Sequence, residues 1–74
     1  MSGLLELTPW ARGSLLAGDI PAIRQRIPPD ATLWLSVSTH NHRQYLGRLT
    51  TPDGSVDARG TLAQVLDALL GPEA

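Results

Sequence analysis

The stretch that decides the fold is ATLWLSVSTHNHRQYLGRLTTPDGS, residues 31–55. Apolar and polar residues alternate along its first third, with Leu33, Leu35 and Val37 on one face, which is the pattern of a half-buried β-strand. The segment TTPDGS predicts a turn, because Pro52 fits its first corner and Gly54 can adopt a positive φ. The stretch therefore predicts three antiparallel strands. The second spans Tyr45 to Thr50 and the short third spans Ser55 to Ala58.

The length of the first loop sets which side chains share a face. A loop with an even number of residues would mix apolar and polar residues on both faces. An odd loop, such as His40 to Gln44, sets Leu35 opposite Leu49 and Val37 opposite Gly47, and both histidines then lie in the loop. One face then carries the large apolar residues together: Leu33, Leu35, Val37, Tyr45 and Leu49.

The opposite face of the predicted sheet is also partly apolar. It carries Trp34, Leu46 and Arg48, and a three-residue PDG loop adds Val56 opposite Thr50. A sheet with apolar residues on both faces needs cover on both. Either the N-terminal helices bury this patch, or it is an interface for self-association or for a protein partner, since tryptophan and arginine often anchor interfaces.

The C-terminal segment predicts an amphipathic helix over residues 62–70. Thr61 and Gln64 form a capping box, Leu62, Val65, Leu66, Leu69 and Leu70 line one face, and Gly71 with Pro72 ends it.

The N-terminal third predicts one or two short helices. Thr8 and Pro9 begin a helix that runs to about Ala17, and Asp19 caps a second helix with Ile20, Ile23 and Ile27 on one face. Residues 3–7 fit either a turn or a short strand. The chain is therefore predicted to be one domain, residues 1–74, of the α+β class, with a three-stranded antiparallel sheet between N-terminal helices and a C-terminal helix.

Composition limits the classes of function that the chain can have. The 74 residues include no cysteine, and a chain this short buries only roughly 60% of its unfolded surface, so a partner subunit is the expected source of extra stability. A net charge of -1 argues against coating nucleic acid by charge alone. No signal peptide and no apolar run of membrane-spanning length is present, which predicts a soluble cytoplasmic protein without membrane contact.

The two histidines allow three interpretations. His40 and His42 share the i, i+2 spacing of some zinc ligands, but the nearest carboxylates in sequence belong to other turns, so we expect no metal and no cofactor. They could also occupy a solvated loop or serve catalysis. A histidine at the first hairpin, in STHNHRQY, followed by the helix segment GTLAQVLDALLG, resembles the HicA-type toxins.

This resemblance covers residues 38–71 and implies a function. HicA-type toxins are small ribonucleases with a double-stranded-RNA-binding-like fold and a catalytic histidine in a Gly-Ser-His-His signature. Here Thr39 separates Ser38 from His40, and Asn41 interrupts the histidine pair. The resemblance implies that His40, or next His42, moves the proton of a ribose 2'-hydroxyl. Arg43 would steady the phosphate.

Three functional hypotheses follow from the sequence. The first is a small non-enzymatic interaction module, a homo-oligomer or a subunit of a larger assembly, that binds through the sheet face around Trp34. The second is an RNA-binding or RNA-cleaving domain like the HicA-type toxins. The third is a DNA-binding accessory factor of a phage or mobile element, in which Arg24 and Arg26, with Arg12, form a basic patch. Across the two nucleic-acid hypotheses the expected contacts are Arg24, Arg26 and Arg43.

Overall fold

A mixed four-stranded sheet with three helices forms a small α+β fold in the computed structural model, which describes residues 3–15, 18–38, 40 and 44–71. The elements, in chain order, are β1 (Leu4–Leu7), α1 (Pro9–Ser14), α2 (Asp19–Arg26), β2 (Thr32–Val37), β3 (Tyr45–Thr51), β4 (Gly54–Gly60) and α3 (Leu62–Leu70). The strands lie in the sheet in the order β1-β2-β3-β4.

The prediction of a three-stranded antiparallel sheet is wrong in one respect, because residues 4–7 add a fourth strand. β1 pairs in parallel with β2, whereas β2, β3 and β4 pair antiparallel. Parallel strands need a crossover connection, and α1 and α2 supply it. The four residues of β1 are too few to show alternation that would separate a strand from a turn.

Gly3 anchors the start of β1. Its backbone N–H donates to the carbonyl of Ile27 at 3.2 Å, and the N–H of Leu4 donates to the carbonyl of Ala31 at 3.1 Å. A Cβ on residue 3 would collide with the carbonyl oxygens of Pro28 and Ala31, so this approach of two backbone segments requires glycine.

The first hairpin has the predicted faces but a different register. Leu33 pairs with Leu49, Leu35 with Gly47 and Val37 with Tyr45, a shift of two residues from the prediction. A shift of two keeps every side chain on its face, since side chains alternate with period 2. The loop runs from Ser38 to Gln44 and has an odd number of residues, as predicted.

The second hairpin has a different loop length, and this changes a face. Thr51 pairs with Gly54, so the turn contains only Pro52 and Asp53 rather than the three residues predicted. As a result Val56 lies opposite Leu49, not opposite Thr50. The predicted register of β4 is therefore wrong by one residue, and a slip of one residue moves a side chain to the other face.

The hydrophobic core lies on one face of the sheet, here called the inner face, which carries Leu33, Leu35, Val37, Tyr45, Gly47, Leu49, Val56 and Ala58. Leu33 and Leu35 are fully buried in one cluster with Ile23 of α2 and Val65 of α3. The helices α2 and α3 therefore cover the same face. Arg26 of α2 also joins them, because its Nη2 donates to the carbonyl of Gly71 at 2.6 Å.

The close packing of α3 on the sheet depends on Gly47. A Cβ at this position would lie 2.5 Å from Cγ1 of Val65 and 2.9 Å from Cδ1 of Leu69. The absence of a side chain thus lets the apolar face of α3 rest directly on β3.

The predicted C-terminal helix is confirmed over residues 62–70, including the capping box between Thr61 and Gln64 and the end at Gly71. The first predicted helix ends earlier than Ala17, at Ser14. Thr8 caps it as predicted, and its Oγ1 accepts from the N–H of Ala11 at 3.3 Å. Asp19 is the first residue of α2 rather than its cap.

Candidate functional site

The face of the sheet opposite the core is here called the outer face. Strand pairing aligns its side chains in rows that cross the strands. One row contains Glu6, Trp34, Arg48 and Asp57, and the next contains Ser36, Leu46 and Arg59. The helices α2 and α3 both pack on the inner face. The helix α1 begins beside the outer face, where Oγ1 of its cap Thr8 donates to Oγ of Ser36 at 3.2 Å.

Trp34 and Leu46 form the apolar part of the outer face. Each is 37% exposed, and both line an open depression of about 410 Å³ with Arg48, Asp57 and Arg59. They occupy diagonal positions on β2 and β3, a separation that an aromatic side chain can span. One of the two predictions for Trp34 was burial under the N-terminal helices. These helices leave it partly exposed.

Arg48 and Asp57 form an ion pair beside Trp34. Nε of Arg48 donates to Oδ1 of Asp57 at 2.7 Å, and Nη2 donates to Oδ2 at 3.3 Å, so the guanidinium binds the carboxylate in a bidentate way. The hydrogen bond from Arg48 holds the pKa of Asp57 below its ordinary value. The same bond raises the pKa of Arg48. The contact orients the guanidinium, while solvent screens its contribution to stability.

The charges of the outer face balance. Its described residues carry the carboxylates of Glu6 and Asp57 and the guanidiniums of Arg48 and Arg59. Among the described residues, no carboxylate lies within ion-pair distance of Arg59, and no cationic side chain lies within that distance of Glu6. The surface therefore offers one unpaired charge of each sign, on opposite edge strands.

Val56 does not belong to this site. The sequence placed it with Trp34, Leu46 and Arg48, but its pairing with Leu49 puts it on the inner face. There it is 60% exposed, at the end of the sheet where the turn lies. Asp57 and Arg59 take its place on the outer face, and sequence reasoning missed both. The signal that could have found them is the length of the turn at Pro52 and Asp53.

The histidine loop is only partly described. His40 is exposed, and its backbone N–H donates to Oγ of Ser38 at 3.2 Å. His42 and Arg43 lie outside the described residues. Among the residues that are described, no three His, Asp or Glu side chains lie close enough together to hold a metal ion.

The two arginines of α2 lie in different environments. Arg26 is half-buried and committed to α3 through the carbonyl of Gly71 and through Asp67, whose Oδ1 is 3.6 Å from Nη2 of Arg26. Arg24 is exposed on the same helix. The structure therefore gives Arg26 an intramolecular role.

Comparison with known proteins identified no relative of this chain. No protein family, no curated protein and no solved structure matches the chain. None of the helices formed by the described residues is long and apolar enough to cross a lipid bilayer.

Proposed function

We propose that the protein is a small non-enzymatic interaction module that associates with a second copy of itself through the outer face. The observation that carries this proposal is the exposure of Trp34 and Leu46, each 37% exposed, side by side on the face of the sheet opposite α2 and α3. Burial of such a pair in an interface would remove apolar surface from water, which is the main driving force of association.

The charge of the outer face favours a second copy over a polyanion. Two carboxylates and two guanidiniums give this surface no net charge, whereas a nucleic-acid contact needs an excess of cations. A patch that carries both signs and no net charge does not repel a second copy of itself.

The row containing Trp34 also fits two-fold symmetry. If two outer faces stack about an axis parallel to the strands, β2 of one copy lies over β3 of the other. Trp34, which pairs with Arg48 within the sheet, then faces Arg48 of the second copy, and the contact occurs twice. The same operation places Glu6 over Asp57 of the second copy, whose carboxylate is already paired with Arg48. A guanidinium over an indole ring is the most favourable cation–π pair that these side chains offer.

The size of the surface predicts a weak dimer. Four strands at about 4.8 Å spacing and six residues at about 3.3 Å rise give a face of roughly 19 by 20 Å. This is below the roughly 800 Å² per partner of a standard stable interface. We therefore expect association in the micromolar range or weaker, which must be measured up to high concentration.

The test compares two tryptophans. Trp34→Ala removes the centre of the proposed interface, and Trp10→Ala is the matched control, because Trp10 lies on α1, is 57% exposed and does not line the depression. Sedimentation equilibrium over a wide concentration range measures the weight-average mass of each. The proposal expects weaker association for Trp34→Ala and wild-type association for Trp10→Ala. Equal loss in both variants, or no loss in Trp34→Ala, contradicts it.

A further inference from the structure

The β4 edge of the sheet is open to pairing. β4 is the last strand in the sheet order, and its seven residues pair with β3 without interruption. Sheets usually protect their edges with charged side chains, proline, a bulge or a very short strand. Residues 54–60 contain no proline, the unbroken register leaves no bulge, and their two charged side chains, Asp57 and Arg59, have opposite signs. The opposite edge, β1, has only four residues.

The hairpin geometry determines which backbone groups face outward. In antiparallel pairs, residues that exchange both hydrogen bonds alternate with residues that exchange none. The two-residue turn makes Thr51 and Gly54 a bonded pair, so the unbonded pairs include Arg48 with Asp57 and Leu46 with Arg59. The backbone N–H and C=O groups of Asp57 and Arg59 therefore point away from β3, toward the open edge.

Charge selects one register for a second β4 strand at this edge. Antiparallel pairing centred on Asp57 would place two carboxylates opposite each other, which is unfavourable. Pairing centred on Ala58 places Asp57 opposite Arg59 of the other copy, and this happens twice. Arg59, which has no ion-pair partner among the described residues, then gains one. The small side chain of Ala58 lies at the two-fold axis.

We infer that two copies of the chain join through their β4 edges, in the register centred on Ala58, to form a continuous eight-stranded sheet. This inference goes beyond the proposed function, because it assigns a second surface that does not include Trp34. The two residues that determine the register, Asp57 and Arg59, exchange four backbone hydrogen bonds and two ion pairs with the second copy.

The helices permit this arrangement. α3 packs over β3 and β4, so its axis lies about one strand spacing, or roughly 5 Å, from the two-fold axis at the edge. The two α3 helices then lie about 10 Å apart, within the usual distance of packed helices. Ala68, exposed on α3, is small enough to tolerate a close neighbour.

The experiment uses charge reversal in the Trp34→Ala background, which removes the apolar centre of the outer face. Asp57→Arg and Arg59→Asp are each expected to weaken self-association at least ~10-fold, because each places like charges opposite one another twice. An equimolar mixture of the two variants restores both ion pairs in a heterodimer and is expected to associate about as well as the parent. Sedimentation equilibrium measures all four samples.

Two results overturn the inference. The first is a Trp34→Ala parent that stays monomeric to roughly 1 mM, the range in which even a weak complex forms. The second is a mixture that associates no better than its separate variants. Asp57→Arg also breaks the ion pair with Arg48, but that defect would persist in the mixture, so restoration is specific to the edge.

A measurement on the wild type avoids any variant that fails to fold. Amide hydrogen exchange at low and high protein concentration reports which backbone groups association protects. The inference expects added protection at Asp57 and Arg59, whose N–H groups point outward, and none at Val56 or Ala58, which already bond to β3. Protection that does not alternate along β4 overturns it. Failure of the outer-face proposal would leave this pattern unchanged.

Discussion

The substitution Gly47→Ala tests the feature that places α3 on the inner face. Gly47 lies on β3 opposite Leu35 and Ala58. Its missing side chain leaves the space that Val65 and Leu69 fill from α3. If the packing described above is correct, one methyl group here destabilises the whole domain, although alanine is otherwise the better residue in a strand interior.

The expected magnitude follows from three distances. The new Cβ would lie 2.5 Å from Cγ1 of Val65, 2.9 Å from Cδ1 of Leu69 and 3.2 Å from Cδ2 of Leu35, and real Cβ contacts essentially never fall below 3.0 Å. Overpacking of a buried site costs about 1–3 kcal/mol. The lower backbone entropy of alanine offsets about 0.5–1 kcal/mol. The difference between these ranges runs from about 0 to about 2.5 kcal/mol, and its centre predicts a net loss in the free energy of unfolding of about 1 kcal/mol.

Urea unfolding, followed by tryptophan fluorescence and circular dichroism, measures this loss. For a domain of this size each kcal/mol lowers Tm by roughly 4–8 °C. Gly13→Ala is the matched control, because a Cβ there meets nothing within 4 Å and residue 13 lies in α1. This control should be more stable than wild type, by up to about 1 kcal/mol. A Gly47→Ala protein as stable as wild type would refute the packing of α3 on β3.

Three further predictions concern the helix cap, the ion pair and the histidines. Thr61→Ala removes the acceptor for the N–H of Gln64 and should cost about 1 kcal/mol in urea unfolding, whereas Thr61→Ser should cost much less. Because Arg48 lowers the pKa of Asp57, the pair stabilises the fold above the ordinary carboxyl pKa and this contribution is lost as pH falls through the lower folded value. Wild type should therefore lose more stability than Asp57→Asn between pH 7 and pH 3, by a small amount since both groups are exposed, and equal losses would contradict this. If the chain cleaves RNA as the HicA-type resemblance implies, the paired change His40→Ala with His42→Ala abolishes cleavage without altering Tm, and unchanged cleavage would exclude a catalytic role for both.

The sequence was sufficient where local signals and periodicity agreed. The capping box at Thr61, the apolar stripe and Gly71 predicted α3 within its observed bounds. Alternation along β2, with the requirement for an odd loop, predicted one apolar face of Leu33, Leu35, Val37, Tyr45 and Leu49. The first four are buried and Leu49 is partly buried. These predictions succeeded because each depends on the chain near the residue concerned, and because a register shift of two leaves the faces unchanged.

The remaining features depend on longer-range contacts or on a single residue of loop length. β1 is a strand because residues 3–7 meet Ile27 and Ala31 across the crossover, which nothing in LLEL itself indicates. The second turn has two residues where three were predicted, and that one residue transferred Val56 to the inner face and brought Asp57 and Arg59 to the outer face. Trp34, Leu46 and Arg48 share one face as the alternation requires, but the register shift of two residues makes Trp34 and Arg48 a direct cross-strand pair where a diagonal one was predicted.

The most direct test of the central claim is the weight-average mass of the wild type and of Trp34→Ala by sedimentation equilibrium, from micromolar to roughly millimolar concentration. The proposal predicts that the wild-type mass rises above the 7.9 kDa of one chain. At equal concentration it predicts a lower mass for Trp34→Ala, with an unchanged circular dichroism spectrum. A wild-type mass that stays at 7.9 kDa throughout, or identical curves for the two proteins, would contradict self-association through the outer face.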